Sequence, residues 1–314
     1  MPTNFTAGPV RVRTPATSAN LGPGFDALGL ALGLYDDVAA EVAPSGARVT
    51  VTGQGAGELP DDDRHLVVRA MRAAFDVLGA HPDGLSVECV NRIPQARGLG
   101  SSSAAIVAGV LLARALVVDG EHRLDDAGAL RLAAEIEGHP DNVAPCLLGG
   151  FTVAWSEPGG ARAVSLPVAD AVRPTVFVPA ERGLTATARA ALPATVPHGD
   201  AAFTAGRAAL LVHALTTDPT LLLPATVDRL HQDYRAAGMP GTFSLVSALR
   251  AAGVAAVVSG AGPTVLALSE PPAGFGVGTD WEIWQLPIDV SGARAARGRL
   301  GHAERDPVAA GRKS

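Results

Sequence analysis

Pro94-Gln95-Ala96-Arg97-Gly98-Leu99-Gly100-Ser101-Ser102-Ser103-Ala104 is the stretch around which this chain is organised. A strand-like run, Leu85 to Val90, precedes it, and an apolar run from Ala104 to Val118, long enough for a helix, follows it. The first N–H groups of a helix lack intrahelical partners and carry the positive end of its dipole. A loop without bulky side chains lets an anion reach them. Gly98 and Gly100 can take positive φ, and the three serines add hydroxyls that donate or face a metal. A polyphosphate is the natural guest, although a Gly/Ser turn can also simply open a buried helix.

Known phosphate motifs narrow the choice. GxxxxGK[ST] is absent, and the single lysine is Lys313, near the C-terminus. A phosphate-binding lysine in the loop or on a kinase strand is therefore excluded. The Gly98-Leu99-Gly100 step runs into serines, so it is not a GxGxxG dinucleotide turn either.

Moving outward, the 314 residues suffice for one large or two modest domains. Apolar residues make up 47% but aromatics only 4%, so the core must be built from Ala, Val and Leu. A net charge of −6 argues against general nucleic-acid binding. No apolar run approaches the roughly 18 residues of a membrane span. Met1 to Val10 lacks the basic and apolar regions of a secretory signal. Cys89 and Cys146 sit in apolar runs and read as buried thiols. A cytoplasmic enzyme is expected.

Val10 to Arg13 alternates as a first strand, and Thr14 to Leu32 reads as a long loop punctuated by Gly and Pro. Within it, Asn20 and Asp26 suit plain turn chemistry as well as a binding role. Strands are expected over Val38–Val51, Leu147–Ala154 and Thr175–Pro179. Helices are expected over 64–79, 124–137, 205–215, 228–235 and 242–252. A short helix followed by a flexible tail is expected from Ala293. Glu135 to Asn142 gathers two glutamates, an aspartate, a histidine and an asparagine. Such hard ligands suit a metal–phosphate site, and a solvated helix end would use the same residues. Finally, Val254 to Leu268 holds two β-rich runs around Ser259-Gly260-Ala261-Gly262-Pro263-Thr264, which alone would pass as a hairpin.

Four of these segments together resemble the GHMP kinases. Pro-x-x-x-Gly-Leu-Gly-Ser-Ser resembles that family's phosphate loop, and Ser-Gly-Ala-Gly-Pro-Thr its third motif. Pro15-Ala16-Thr17-Ser18-Ala19-Asn20-Leu21-Gly22 to Gly24-Phe25-Asp26 and Glu137-Gly138-His139-Pro140-Asp141-Asn142-Val143-Ala144-Pro145 resemble the signatures of its homoserine kinase branch. Some members insert residues between that Glu-Gly and the His; this chain has the short form. The likeness covers roughly residues 10 to 290.

The resemblance implies a two-domain α+β GHMP fold. Its N-terminal part, residues 1–170, would resemble ribosomal protein S5 domain 2. Its C-terminal part, 171–295, would be a ferredoxin-like α/β sandwich, with 296–314 a flexible tail. It implies ATP and Mg²⁺, with the loop from Pro94 to Ala104 and Gly260 and Gly262 around the phosphates, and Ser102 and Glu137 on the metal. It implies that Asn20, Asp26, His139, Asp141 and Asn142 line a homoserine pocket. Arg189, with Thr185 nearby, matches an arginine that contacts the substrate carboxylate. Arg235, in an Asp-Tyr-Arg remnant of a Glu-Pro-Tyr-Arg segment, is a second such arginine. Asp141 is a candidate base by chemistry alone and reads better as a substrate binder. The implied activity is phosphorylation of the L-homoserine hydroxyl in threonine biosynthesis, by a homodimer free of nucleic acid and membrane. Another small-molecule kinase of the family, such as a mevalonate-type enzyme, or a non-catalytic ligand sensor are the alternatives.

Overall fold

A computed structural model describes residues 5–301. The chain opens with β1 (Val10–Ala19), β2 (Leu28–Ala43) and β3 (Gly46–Gly53), followed by α1 (Leu66–Leu78) and β4 (Gly84–Asn91). Then come α2 (Ser101–Leu116), the short α3 (Gly120–Arg123), α4 (Asp126–Glu137), the short α5 (Val143–Leu148), β5 (Phe151–Glu157) and β6 (Gly160–Leu166). The later part has β7 (Thr175–Pro179), α6 (Thr185–Ala190), α7 (His198–Thr216), α8 (Leu222–Ala225), α9 (Gln232–Arg235) and α10 (Pro240–Ala251). It closes with β8 (Ala256–Val258), β9 (Val265–Ala267), β10 (Trp281–Gln285) and β11 (Arg294–Arg297).

These strands form two sheets. One has the order β11-β1-β2-β4-β3, with the β5–β6 hairpin joined to β2; the other is β10-β7-β9-β8. The helix α2 packs against α1, α4 and β1. Its sequence is apolar nearly all round, and eleven of its sixteen residues are buried, as a helix in the middle of a layer requires. In the second sheet, Val176, Val178, Val257 and Leu266 face the main core, while Phe177, Ala256, Val258 and Val265 face α10. That is the period-2 rule of a strand buried on both faces. The core is aliphatic, as the composition requires. Cys89 and Cys146 are free and buried.

Four expectations need correction. The strand begun at Val10 does not stop at Arg13 but runs to Ala19, pairing with β2 through a register shift at Pro15/Ala16. Thr14 to Ala19 is buried on both faces, so no alternation marked it, and the bulge accommodates a proline. The loop is therefore only residues 20–27. Leu147 and Leu148 belong to α5 rather than to a strand, which starts at Phe151 after left-handed Gly149 and Gly150. Residues 228–231 form a capped turn before α9: the Asp228 carboxylate accepts the amides of Leu230, His231 and Gln232. Finally, no helix follows Ala293 among the described residues. Instead β11 pairs antiparallel with Val10–Arg13 and covers the outer edge of β1. Residues 302–314 of the expected tail lie outside the described residues.

Candidate active site

The four motifs of the sequence meet in one cavity. Its wall takes Ala96, Gly98, Gly100, Ser101 and Ser102 from the phosphate loop and the start of α2. Glu137, His139, Asp141 and Asn142 come from the end of α4 and beyond, and Asn20 and Asp26 from the loop after β1. Thr185, Arg189, Arg235, Gly260 and Ala261 close the far side. Asn20, Leu21, Asp26 and Ala96 all have φ between +51 and +67°. Left-handed backbone in non-glycine residues is costly, and it collects at binding sites where neighbours enforce it.

Hydrogen bonds weld the loop to the third motif and to β1. The Ser259 hydroxyl donates to the Gly98 carbonyl at 2.6 Å, and the Thr264 amide donates to the Arg97 carbonyl at 3.3 Å. The Thr17 amide donates to the Leu99 carbonyl at 3.0 Å. A Cβ on Gly98 would lie 2.2 Å from the Ser259 carbonyl oxygen, so only glycine fits this approach. The helix α2 starts with left-handed Gly100 and has no side-chain cap, which leaves its first amides without side-chain partners beside the cavity.

Some loop positions support the site rather than line it. The Arg97 guanidinium donates to the carbonyls of Pro179 and Ala180, at 2.9 and 2.7 Å, and so ties the loop to the end of β7. Pro94 and Leu99 are buried, and Gly262 packs on Met239. Gln95 and Ala104 face a neighbouring cavity.

Glu137 ends α4 opposite the first turn of α2. Its carboxylate accepts from the Ser102 hydroxyl at 2.7 Å and from the Ser103 hydroxyl at 2.9 Å. Ser102 and Glu137 thus present two hard oxygens side by side at a helix N-terminus, which suits an ion of the Mg²⁺ type that takes its other ligands from phosphate and water. Among the described residues no group of three or more His, Cys, Asp or Glu could hold a metal, so the pair fits a shared ion rather than a protein cage.

The other end of the cavity is rich in charge. His139 Nδ1 lies 2.5 Å from Asp141 Oδ1, and Asp141 is buried. Burial works against a charged His139, but the hydrogen bond and field of Asp141 outweigh it and raise its pKa above 6.5. The Asn142 side-chain oxygen accepts from the Thr17 hydroxyl at 2.8 Å. Arg189 forms a two-bond pair with Asp26. The Asn20 side chain accepts from the Asp26 amide at 3.0 Å and donates to the Gly260 carbonyl at 2.9 Å.

Arg235 is 3% exposed, yet it forms no ion pair among the described residues. Its partners are the carbonyls of Ala188 and Gly260 and the ring of His231. Burial, then the like charge of Arg189, pull its pKa below the usual value. Asp26, Asp228 and Asp141 oppose that shift from a distance, and a buried guanidinium with no carboxylate in contact among the described residues favours an incoming one.

The sequence reading missed several residues here. Phe25 lies under both arginines, 5.7 Å from Arg189 and 5.5 Å from Arg235. The buried His231 touches Arg235 and the Gly22 carbonyl. Only its place four residues before Arg235 could have pointed to it. A second, largely apolar cavity was also missed. Leu59, Pro60, Leu66, Val67 and Ala105 line it with Asp36, His65 and Asn91, and it shares Ser101 and Ser102 with the first. Apart from the phosphate-loop residues, its wall comes from segments remote in sequence that carry no motif.

A phosphate loop on a helix N-terminus, an acid beside its serines and a charged end to the same cavity define a small-molecule phosphotransferase of the GHMP class. The family models for the GHMP kinases N terminal domain and the GHMP kinases C terminal match residues 65–150 and 208–274. The chain is 60% identical over 293 residues to the homoserine kinase of Streptomyces coelicolor, spanning 92% of this chain and 95% of that protein. To the homoserine kinase of Clavibacter michiganensis it is 50% identical over 294 residues, 90% and 93% of the two chains. The crystal structure of homoserine kinase from Cytophaga hutchinsonii superposes with a TM-score of 0.78 at 28% identity, covering 93% of this chain and 98% of that one. The chain belongs to the GHMP kinase family, among its homoserine kinases. A kinase of this family takes ATP as its co-substrate. No helix among the described residues is long and apolar enough to cross a membrane.

Proposed function

We propose that this chain transfers the γ-phosphoryl group of ATP to the side-chain hydroxyl of L-homoserine, giving O-phospho-L-homoserine for threonine biosynthesis. The observation that carries this reading is one cavity holding the phosphate loop together with the buried Arg235, which makes no ion pair among the described residues, the Asp26–Arg189 pair and Asp141. These are the charges that a zwitterionic amino acid bearing a hydroxyl would need.

The loop amides and the N-terminus of α2 would bind the β- and γ-phosphates, and the apolar cavity beyond Ser101 and Ser102 would receive the base. Arg235 and Arg189 would hold the acceptor carboxylate, with Asp26 and Asn20 on the ammonium. Asp141, one oxygen engaged by His139, would keep its other oxygen for the acceptor hydroxyl and so orient it. Mg²⁺ on Ser102 and Glu137 would offset the charge on the phosphates. The acceptor oxygen then bonds to the γ-phosphorus as the bond from that phosphorus to the β–γ bridging oxygen breaks, and ADP leaves. The hydroxyl proton departs to solvent or to a phosphate oxygen. Phosphoryl transfer demands positioning and charge more than covalent catalysis, so a dedicated base is not required and Asp141 serves as a binder.

The test is ADP release with ATP and Mg²⁺, comparing L-homoserine with L-threonine, L-serine and mevalonate. Release that depends on L-homoserine supports the reading. Release with mevalonate instead moves the acceptor, and ATP binding without release for any acceptor favours a sensor.

A further inference from the structure

The two groups assigned to the ends of the amino acid come from distant parts of the chain. Asn20 and Asp26 lie on the loop after β1, whereas Arg235 lies on α9, a helix of four residues. Short elements do not hold a side chain still by themselves, so something must register them.

One imidazole touches both. His231 Nε2 lies 2.7 Å from the Gly22 carbonyl, and His231 Nδ1 lies 3.1 Å from Arg235 Nη1. A guanidinium only donates, so Nδ1 must carry the lone pair. A carbonyl only accepts, so the proton sits on Nε2. The two contacts therefore define a neutral ring and its tautomer. The Asp228 carboxylate stands 3.6 Å from Nε2, and the Phe25 ring lies at 5.0 Å, tilted by 30°. His231 is fully buried, and burial depresses its pKa, in keeping with a ring that stays uncharged. The circuit closes through Gly260, whose carbonyl accepts from both Asn20 and Arg235.

We propose that His231 is a positioning residue for the amino-acid acceptor, a neutral imidazole that locks the Gly22 loop to Arg235 and so sets the spacing between the ammonium-side and carboxylate-side groups. This rests on the acceptor reading given above. His231 does not touch the acceptor; it acts through Arg235.

The test compares KM for L-homoserine, KM for ATP, kcat and thermal midpoint in the unaltered chain, His231→Phe and His231→Gln. Phe keeps a ring beside Phe25 but loses both hydrogen bonds, whereas Gln retains one acceptor and one donor. The expected result for His231→Phe is a rise of about tenfold in KM for L-homoserine, with KM for ATP within about twofold. His231→Gln should recover most of that rise. In an Arg235→Lys background, His231→Phe should add little, because the two residues act as one unit. Unchanged KM for L-homoserine, an equal rise in both KM values, or additivity with Arg235→Lys overturns the proposal.

Imidazole ¹⁵N shifts of the unaltered protein give an answer that does not depend on how the variants fold. They must report a neutral Nε2–H ring whose Nδ1 resonance moves with L-homoserine and not with ATP. A protonated or insensitive ring overturns the proposal. An unaltered chain that turns over L-homoserine, with a His231→Phe variant of normal KM, sinks this inference alone. An unaltered chain that ignores L-homoserine sinks the acceptor reading and this inference with it.

Discussion

Asp26 and Arg189 meet across the cavity through two parallel hydrogen bonds, Nη2 to Oδ1 at 2.7 Å and Nη1 to Oδ2 at 3.0 Å. The first lies on the loop between β1 and β2, the second on α6, which buries none of its six residues. The side chains are 36% and 38% exposed, so the pair contributes little to folding stability. Its place at the charged end of the cavity suggests a different use. An amino acid brings its own ammonium and carboxylate, and each can take over one half of the pair.

Asp26→Asn should therefore affect binding far more than folding. KM for L-homoserine is expected to rise by about ten- to a hundredfold, the range for losing a charge-assisted hydrogen bond. The loss of unfolding free energy should stay below about 1 kcal/mol. Steady-state kinetics and urea unfolding on the same preparation check both. A variant that unfolds readily while keeping its KM would mean that Asp26 is a structural turn residue.

Glu137→Gln addresses the phosphate end. The carboxylate accepts from both Ser102 and Ser103, and an amide of the same shape keeps a hydrogen-bonding role but loses the charge. A fall of at least about a hundredfold in kcat is expected, with a higher Mg²⁺ concentration needed for half-maximal rate. KM for L-homoserine should change little. A variant with an unaltered Mg²⁺ titration would remove Glu137 from the metal site.

Much of this arrangement was legible in the sequence because phosphate binding leaves local marks. Gly98, Gly100 and the serines stand next to one another, and Glu137 to Asn142 forms one run, so motifs could be read before any packing was known. Where contacts join residues far apart, the signal vanished. The link from His231 to the Gly22 carbonyl joins positions 209 residues apart, and no local pattern encodes it. The apolar cavity beside Ser101 was hidden likewise, since Leu59, Leu66 and Ala105 look like ordinary core. Strand errors had a matching cause. Thr14 to Ala19 is buried on both faces and small-residue-rich, so alternation failed, and β11 has four exposed residues and reads as polar tail. The single fact that makes it a strand is the open edge of β1, supplied from the other end of the chain.

Asp36 offers a pH test. Burial raises its pKa from 3.8 to about 7, against the amides of Ile93 and Arg92 that favour the charged form. The group binds its proton more tightly folded than unfolded, so its contribution is fully present below about pH 3.8 and is lost as pH rises towards 7. Both amides donate to the same oxygen, Oδ1, so Asn can keep both bonds without ionising. The stability of Asp36→Asn relative to the unaltered protein should therefore increase between about pH 4.5 and about pH 8. Thermal midpoints of the two proteins across that range decide it, and a flat or falling difference would rule the account out.

Two glycines separate backbone strain from close packing. Gly98 and Gly253 have φ of +77 and +83°, so alanine is strained at either by about 1–2 kcal/mol. A Cβ at Gly253 meets nothing within 4 Å, whereas one at Gly98 lies 2.2 Å from the Ser259 carbonyl oxygen, which belongs to backbone and cannot swing away. Gly253→Ala should lower the thermal midpoint by a few degrees and leave kcat and both KM values unchanged. Gly98→Ala must also push the phosphate loop off the third motif and break the bond from the Ser259 hydroxyl to the Gly98 carbonyl. That displacement moves the loop amides with it, so kcat/KM for ATP should fall by at least about a hundredfold, the scale of a misplacement near 1 Å. Calorimetry and ATP titrations of the two variants check the contrast. If Gly98→Ala loses stability alone and turns over normally, the loop does not need its seat on Ser259, and the phosphates must be held elsewhere.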